Sequence, residues 1–121
     1  MQPQILPPIP LIERRPYVYR LTLQDTSGNP VDFTEIIEGN GWTGRFTMAE
    51  DLDSAPVVDR EPTLGADGTI TVTITPEDVA TFQPSKTLMP RTVCLFQIEL
   101  YGPIDGADHL FQGPVTLAGV I

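Results

Sequence analysis

The chain has one histidine and one cysteine, and these are the first residues to weigh for chemistry. His109 follows Asp108 in a glycine-rich turn region, but a serine hydrolase also needs a nucleophile on a G-x-S-x-G elbow, and none is present. His109 is therefore expected in a surface loop. Cys94 stands in the apolar run Val93-Cys94-Leu95-Phe96, which predicts a buried, inert thiol, and a lone cysteine excludes an internal disulfide. One Cys and one His cannot complete a standard zinc site. Carboxylates are more plentiful, with Glu50, Asp51, Asp53, Asp59 and Glu61 in one segment and Asp105 and Asp108 in another. Counted from Asp51, however, the fifth and sixth positions are Ala55 and Pro56, where a calcium loop needs a carboxylate and a glycine. Solvated acidic loops are the expectation, with no metal and no cofactor. Paired acids for glycoside hydrolysis would need a deep cleft that a chain of this size has little material to build. Gly39-Asn40-Gly41 leads into a strand without the Lys-Ser/Thr of a phosphate loop. No catalytic residue is identified.

The elements that would position such groups read as short strands. The 121 residues are the size of one domain, and 13 prolines with 10 glycines imply many turns and no long helix. Tyr17, Tyr19, Leu21 and Leu23 alternate with Val18, Arg20, Thr22 and Gln24, the period of a half-buried antiparallel strand. Asp25-Thr26-Ser27-Gly28-Asn29-Pro30 then predicts a tight hairpin turn into a second strand over residues 31–37. Trp42, Gly44, Phe46 and Met48 define a third strand. Residues 50–67 read as a loop with one short strand near Val57-Val58, and Asp67-Gly68 turns into residues 69–75, with Ile70, Val72 and Ile74 inward. Thr75-Pro76-Glu77-Asp78 starts a short helix that seats Val79 and Phe82 before Pro84 ends it. Residues 91–101 place Cys94, Phe96, Ile98 and Leu100 on one face. The last strand, residues 110–121, is interrupted by Gly113-Pro114, predicting a bulge or an edge position. In-strand phase assigns Tyr17, Tyr19, Trp42 and Tyr101 to core packing rather than to a sugar-stacking platform. Six to eight strands in residues 17–121 predict an all-β, immunoglobulin-like antiparallel sandwich with one short helical turn.

Residues 1–16 differ. They hold five prolines among Ile5, Leu6, Ile9, Leu11 and Ile12, which excludes a helix and favours an extended arm, too apolar for a solvated linker. The five aliphatics need either the domain's own flank or a neighbouring subunit, and they are the expected partner-binding anchors. Deleting residues 1–14 is then expected to leave a folded sandwich that no longer joins its assembly. The formal charge of -9 disfavours nucleic acid, and no apolar run approaches a membrane span. Without a secretory signal, synthesis and assembly in the cytosol are expected.

The order of motifs is itself informative: Asp25-x-x-Gly28-x-Pro30-Val31-Asp32-Phe33-Thr34, Gly41-Trp42-Thr43, an acidic loop, Asp67-Gly68-Thr69-Ile70-Thr71-Val72, a Thr-Pro-Glu-Asp turn, Leu100-Tyr101-Gly102, and Gly113-Pro114-Val115. Over residues 17–121 this series resembles the small immunoglobulin-like β-sandwich proteins of tailed bacteriophages, found in tail, baseplate and fibre-attachment modules. The resemblance implies a virion structural or adaptor protein without an active site, whose partners are other virion proteins and neighbouring copies of itself in a symmetric assembly. Capsid decoration, head-fibre attachment and glycan or host-surface binding are the alternatives. The chain departs from the pattern in its Pro-rich start and in the longer stretch over residues 35–40.

Overall fold

The computed structural model describes residues 3–82, 87–104 and 107–120. Two sheets pack face to face around one core. The larger takes β1 (Gln4–Ile5), β2 (Ile9–Ile12), β4 (Thr43–Ala49), β5 (Val58–Arg60), β8 (Arg91–Tyr101) and β9 (His109–Ala118), in the order β1-β9-β8-β4-β5 with β2 also on β9. The smaller is β3 (Tyr17–Thr22), β7 (Thr69–Ile74) and β6 (Thr63–Leu64), in the order β3-β7-β6. Both inner faces supply the core: Phe46, Met48, Phe96, Ile98 and Leu100 from one, Ile70, Val72 and Ile74 from the other. Tyr19 bridges them, its ring 5.5 Å from that of Phe96. The all-β sandwich expected from alternation is thus present.

Several local expectations hold. Asp25 Oδ1 accepts the backbone N–H groups of Ser27 and Asn29 at 2.9 and 3.0 Å, and Gly28 takes φ +85°. At the head of α1 (Pro76–Val79), the Thr75 hydroxyl accepts from Asp78 N–H while Asp78 accepts from Thr75 N–H at 2.8 Å, closing a capping box. Val79 is buried and Phe82 packs on the core, while Pro84 lies outside the described residues. Arg60 ties this turn to the sheet, donating to Asp78 Oδ1 and to the Thr73 carbonyl, both at 2.8 Å. Burial alone would raise the Asp78 pKa, but the Thr75 backbone bond and Arg60 outweigh it and hold the carboxyl below its ordinary value. Its contribution to stability is therefore complete above the unfolded value of about 4 and is lost as pH falls through the lower folded value. Asp78→Asn should lower the midpoint of thermal unfolding at pH 7 and flatten its decline as pH falls below about 4.

Four expectations need correction. The strand over residues 31–37 does not form, apart from single bridges Gln24 to Pro30 and Ile37 to Asn40. Asp32 Oδ1 accepts Thr34 N–H at 2.9 Å and the Asp32 carbonyl accepts Glu35 N–H, so side-chain and turn bonds replace a ladder. Residues 37–40 close a two-residue turn with Glu38 and Gly39 both at positive φ. The neighbour of β3 in its sheet is instead β7, from Tyr17 opposite Ile74 to Thr22 opposite Thr69. Gly113-Pro114 makes no bulge and no edge: β9 runs between β8 and the first strands, and the register shift lies on β8 between Thr92 and Cys94, opposite Thr116 and Val115. Pro114 falls between the two parallel pairings, β1 on residues 111–112 and β2 on residues 115–118, where its missing donor leaves no gap in a ladder. Tyr101 points outward at 42% exposure, one step past the inward Leu100.

Both β1 and β2 are strands of the chain's own sheet. Ile9 and Leu11 face the core at 0% and 1% exposure, alternating with Pro10 and Ile12 on the outer side. Leu6 donates its N–H to the Gln112 carbonyl at 2.8 Å and packs against the core.

Candidate interaction surfaces

The groups singled out for chemistry are built into packing or local turns. His109 is the first residue of β9, opposite Leu100, and not a loop residue as expected. Its ring stacks with Trp42 at 6.3 Å and Phe111 at 6.0 Å, and Trp42 meets Phe33 edge-on at 5.1 Å. Asp108, its neighbour, accepts Gly102 N–H at 3.2 Å and so fixes the turn behind this aromatic row. Burial, and after it the charge of Glu50, pushes the Cys94 thiol up to about 12, leaving no thiolate nucleophile at neutral pH. In the acidic loop, Asp51 accepts from Asp53 N–H and the Ser54 hydroxyl, both at 2.9 Å, and Asp59 binds Arg45 through both oxygens at 2.9 and 2.6 Å. Asp105 lies outside the described residues. Among the described residues no three His, Cys, Asp or Glu side chains meet where an ion would bind, and no helix is long and apolar enough to cross a membrane.

What remains is surface. Of the five aliphatics expected to anchor a partner, Ile5 at 70% and Ile12 at 42% exposure stay available, Leu6 is half-buried, and Ile9 and Leu11 are core side chains. The spacing Ile9-x-Leu11 carried that information, but the prolines at 7, 8 and 10 obscured a period of two only four residues long. Ile12 borders an apolar cleft of ≈ 400 Å³ shared with Pro16, Tyr17 and Pro90. Just before Pro90, Leu88 and Met89 are exposed at 59% and 72%, and Gly119 N–H holds this segment through the Thr87 carbonyl at 3.0 Å. The end of the sandwich where β2 passes into β3 therefore presents an apolar rim.

The outer face of the larger sheet is polar by contrast. Gln112 donates to Gln97 at 2.8 Å, Gln97 to Glu99 at 2.7 Å, and the Tyr101 hydroxyl to Glu99. These side chains satisfy one another across β8 and β9, with Gln97, Glu99 and Gln112 half-buried and Tyr101 exposed.

The two lateral sides differ in how they end. On one, β5 and β6 are short and joined by Glu61 and the buried Pro62, which limits the backbone they expose. On the other, β2 pairs inward with β9, and β3 is left as a six-residue edge. Sequence alternation revealed β3 as a strand but not which of its sides would be covered, because that depends on where residues 4–12 dock.

No protein-family model and no curated protein matches this chain.

Proposed function

We infer that the chain is a non-enzymatic structural or adaptor component of a tailed-bacteriophage virion, from the tail, baseplate or fibre-attachment region, assembled in the host cytoplasm through its first strands and sandwich surfaces. The observation carrying this reading is the agreement between motif order and strand order. A three-stranded sheet, β3-β7-β6, faces a sheet in which the first strands pair in parallel with the last, followed by β8, β4 and β5. That order corresponds to the immunoglobulin-like arrangement, with the first strand moved from the smaller sheet to the edge of the larger one. Three of the motifs that carry the resemblance fall on its structural joints: Asp25 to Pro30 on the turn after β3, Asp67-Gly68 on the turn before β7, and Thr75 to Asp78 on the helix cap.

The placement of reactive groups supports contact rather than catalysis: His109 lies in an aromatic stack and Cys94 is buried in the core. Ile5, Ile12, Leu88 and Met89 offer apolar contact area of the kind a neighbouring virion subunit covers. Mass spectrometry of gradient-purified particles should find the chain at fixed stoichiometry with tail or baseplate proteins. Abundant protein in the infected lysate but none in the particles would remove this reading.

A further inference from the structure

Leu23 donates its N–H to the Gly68 carbonyl at 2.9 Å, continuing the register in which Leu21 faces Ile70 and Tyr19 faces Val72. In an antiparallel ladder only alternate residues exchange bonds with a given neighbour, so the odd residues serve β7. The N–H and C=O groups of Val18, Arg20 and Thr22 point the other way, to a side where no strand pairs among the described residues. The inner side chains show the same incompleteness. Tyr17, Tyr19 and Leu21 are only half-buried, whereas their β7 partners Ile74, Val72 and Ile70 are 0 to 2% exposed.

Charge selects what fits there. Seven cations stand against 16 carboxylates in the chain, yet Arg14, Arg15 and Arg20 cluster on β3 and its lead-in. All three are exposed, and none has a carboxylate within salt-bridge distance among the described residues, although Arg14 shares a cleft with Glu13 and Glu77. Pairing β3 with β3 of a second copy would bring Arg20 beside its own counterpart, and like charges placed so are unfavourable. An extended segment with acidic side chains on its outer face meets no such penalty.

We propose that the β3 edge accepts an extended acidic strand from a partner protein, added beside Val18, Arg20 and Thr22 as a fourth strand of the smaller sheet. Backbone bonds along β3 hold the segment, its apolar alternate residues cover Tyr19 and Leu21, and its carboxylates lie against Arg15 and Arg20. This rests on the reading of the chain as an assembly protein, and names the chemistry of one contact.

The probe is the capped peptide EVEVEVE, titrated into the isotopically labelled full chain and followed by amide NMR. Binding should perturb Val18, Arg20 and Thr22 most. Arg15→Glu/Arg20→Glu should weaken it at least tenfold while leaving the remaining spectrum unchanged, and the matched peptide KVKVKVK should not bind. Equal binding of both peptides, perturbations centred elsewhere, or pairing of β3 with a second copy would overturn the proposal. Failure of this titration leaves particle incorporation untouched, so the two readings fail separately.

Discussion

Removing residues 1–12 should bring the domain close to or below its threshold for folding, not release an intact sandwich. Ile9 and Leu11 are buried at 0% and 1% against Val115 and Leu117, their partners in the parallel register. Truncating a buried aliphatic costs about 2–5 kcal/mol, and two such losses are a large part of the roughly 5–15 kcal/mol that stabilises a typical domain. The deletion also strips β9 of β1 and β2 on one side and leaves an apolar strand edge exposed, a template for aggregation. Leu11→Ala alone should lower urea stability by about 3 kcal/mol. Ile5→Ala, at a 70% exposed position, should change it by less than about 0.5 kcal/mol. A truncated chain that keeps the full-length urea midpoint would show that these residues are dispensable to the core.

Gly113→Val is the second change expected to have a large effect. A Cβ at this position would lie 2.7 Å from Phe96 Cε1 and 2.8 Å from the Leu6 carbonyl oxygen. Neither can yield easily. Phe96 is 1% exposed and held between Phe46, at 6.3 Å, and Tyr19, while the Leu6 carbonyl is backbone on the strand-forming segment itself. Overpacking of this kind costs about 1–3 kcal/mol, and the valine methyls push the total toward the upper end. Gly41→Ala is the matched control, since nothing there lies closer than 3.7 Å. Chemical denaturation of the two variants side by side should separate them clearly.

The long alternating runs were legible because each has one wet and one dry face: residues 17–22, 69–74 and 91–101 all form strands in the expected phase. The helix start was equally legible, its cap being a local arrangement of Thr75, Pro76 and Asp78. Misreadings arose where a local bond competed with a ladder, as at Asp32, or where a segment was too short to show a period, as in β2 and in β6 with two residues. Pro114 misled for a different reason. Proline is excluded from a strand only where its missing donor is needed, and the break between β1 and β2 lies alongside this position. Ile5, Leu6, Ile9, Leu11 and Ile12 were recognisable as needing a surface, but the division between core and exposed members follows from the strand's pleat. The β3 edge is a property of topology: the residues of β3 are ordinary, and what distinguishes them is that residues 4–12 dock on β9 and that no strand among the described residues pairs on their outer side.

The first strands belong to the sheet of their own chain, paired in parallel with β9. Ile12 and Ala118 are Cα partners in the parallel β2–β9 register. A chain carrying Ile12→Cys and Ala118→Cys, oxidised at low and again at high protein concentration, tests this directly, because neighbouring strand positions lie within the roughly 4.4–6.8 Å that a disulfide spans. An internally closed monomer is expected on a non-reducing gel under both conditions; a ladder of covalent oligomers would contradict this pairing.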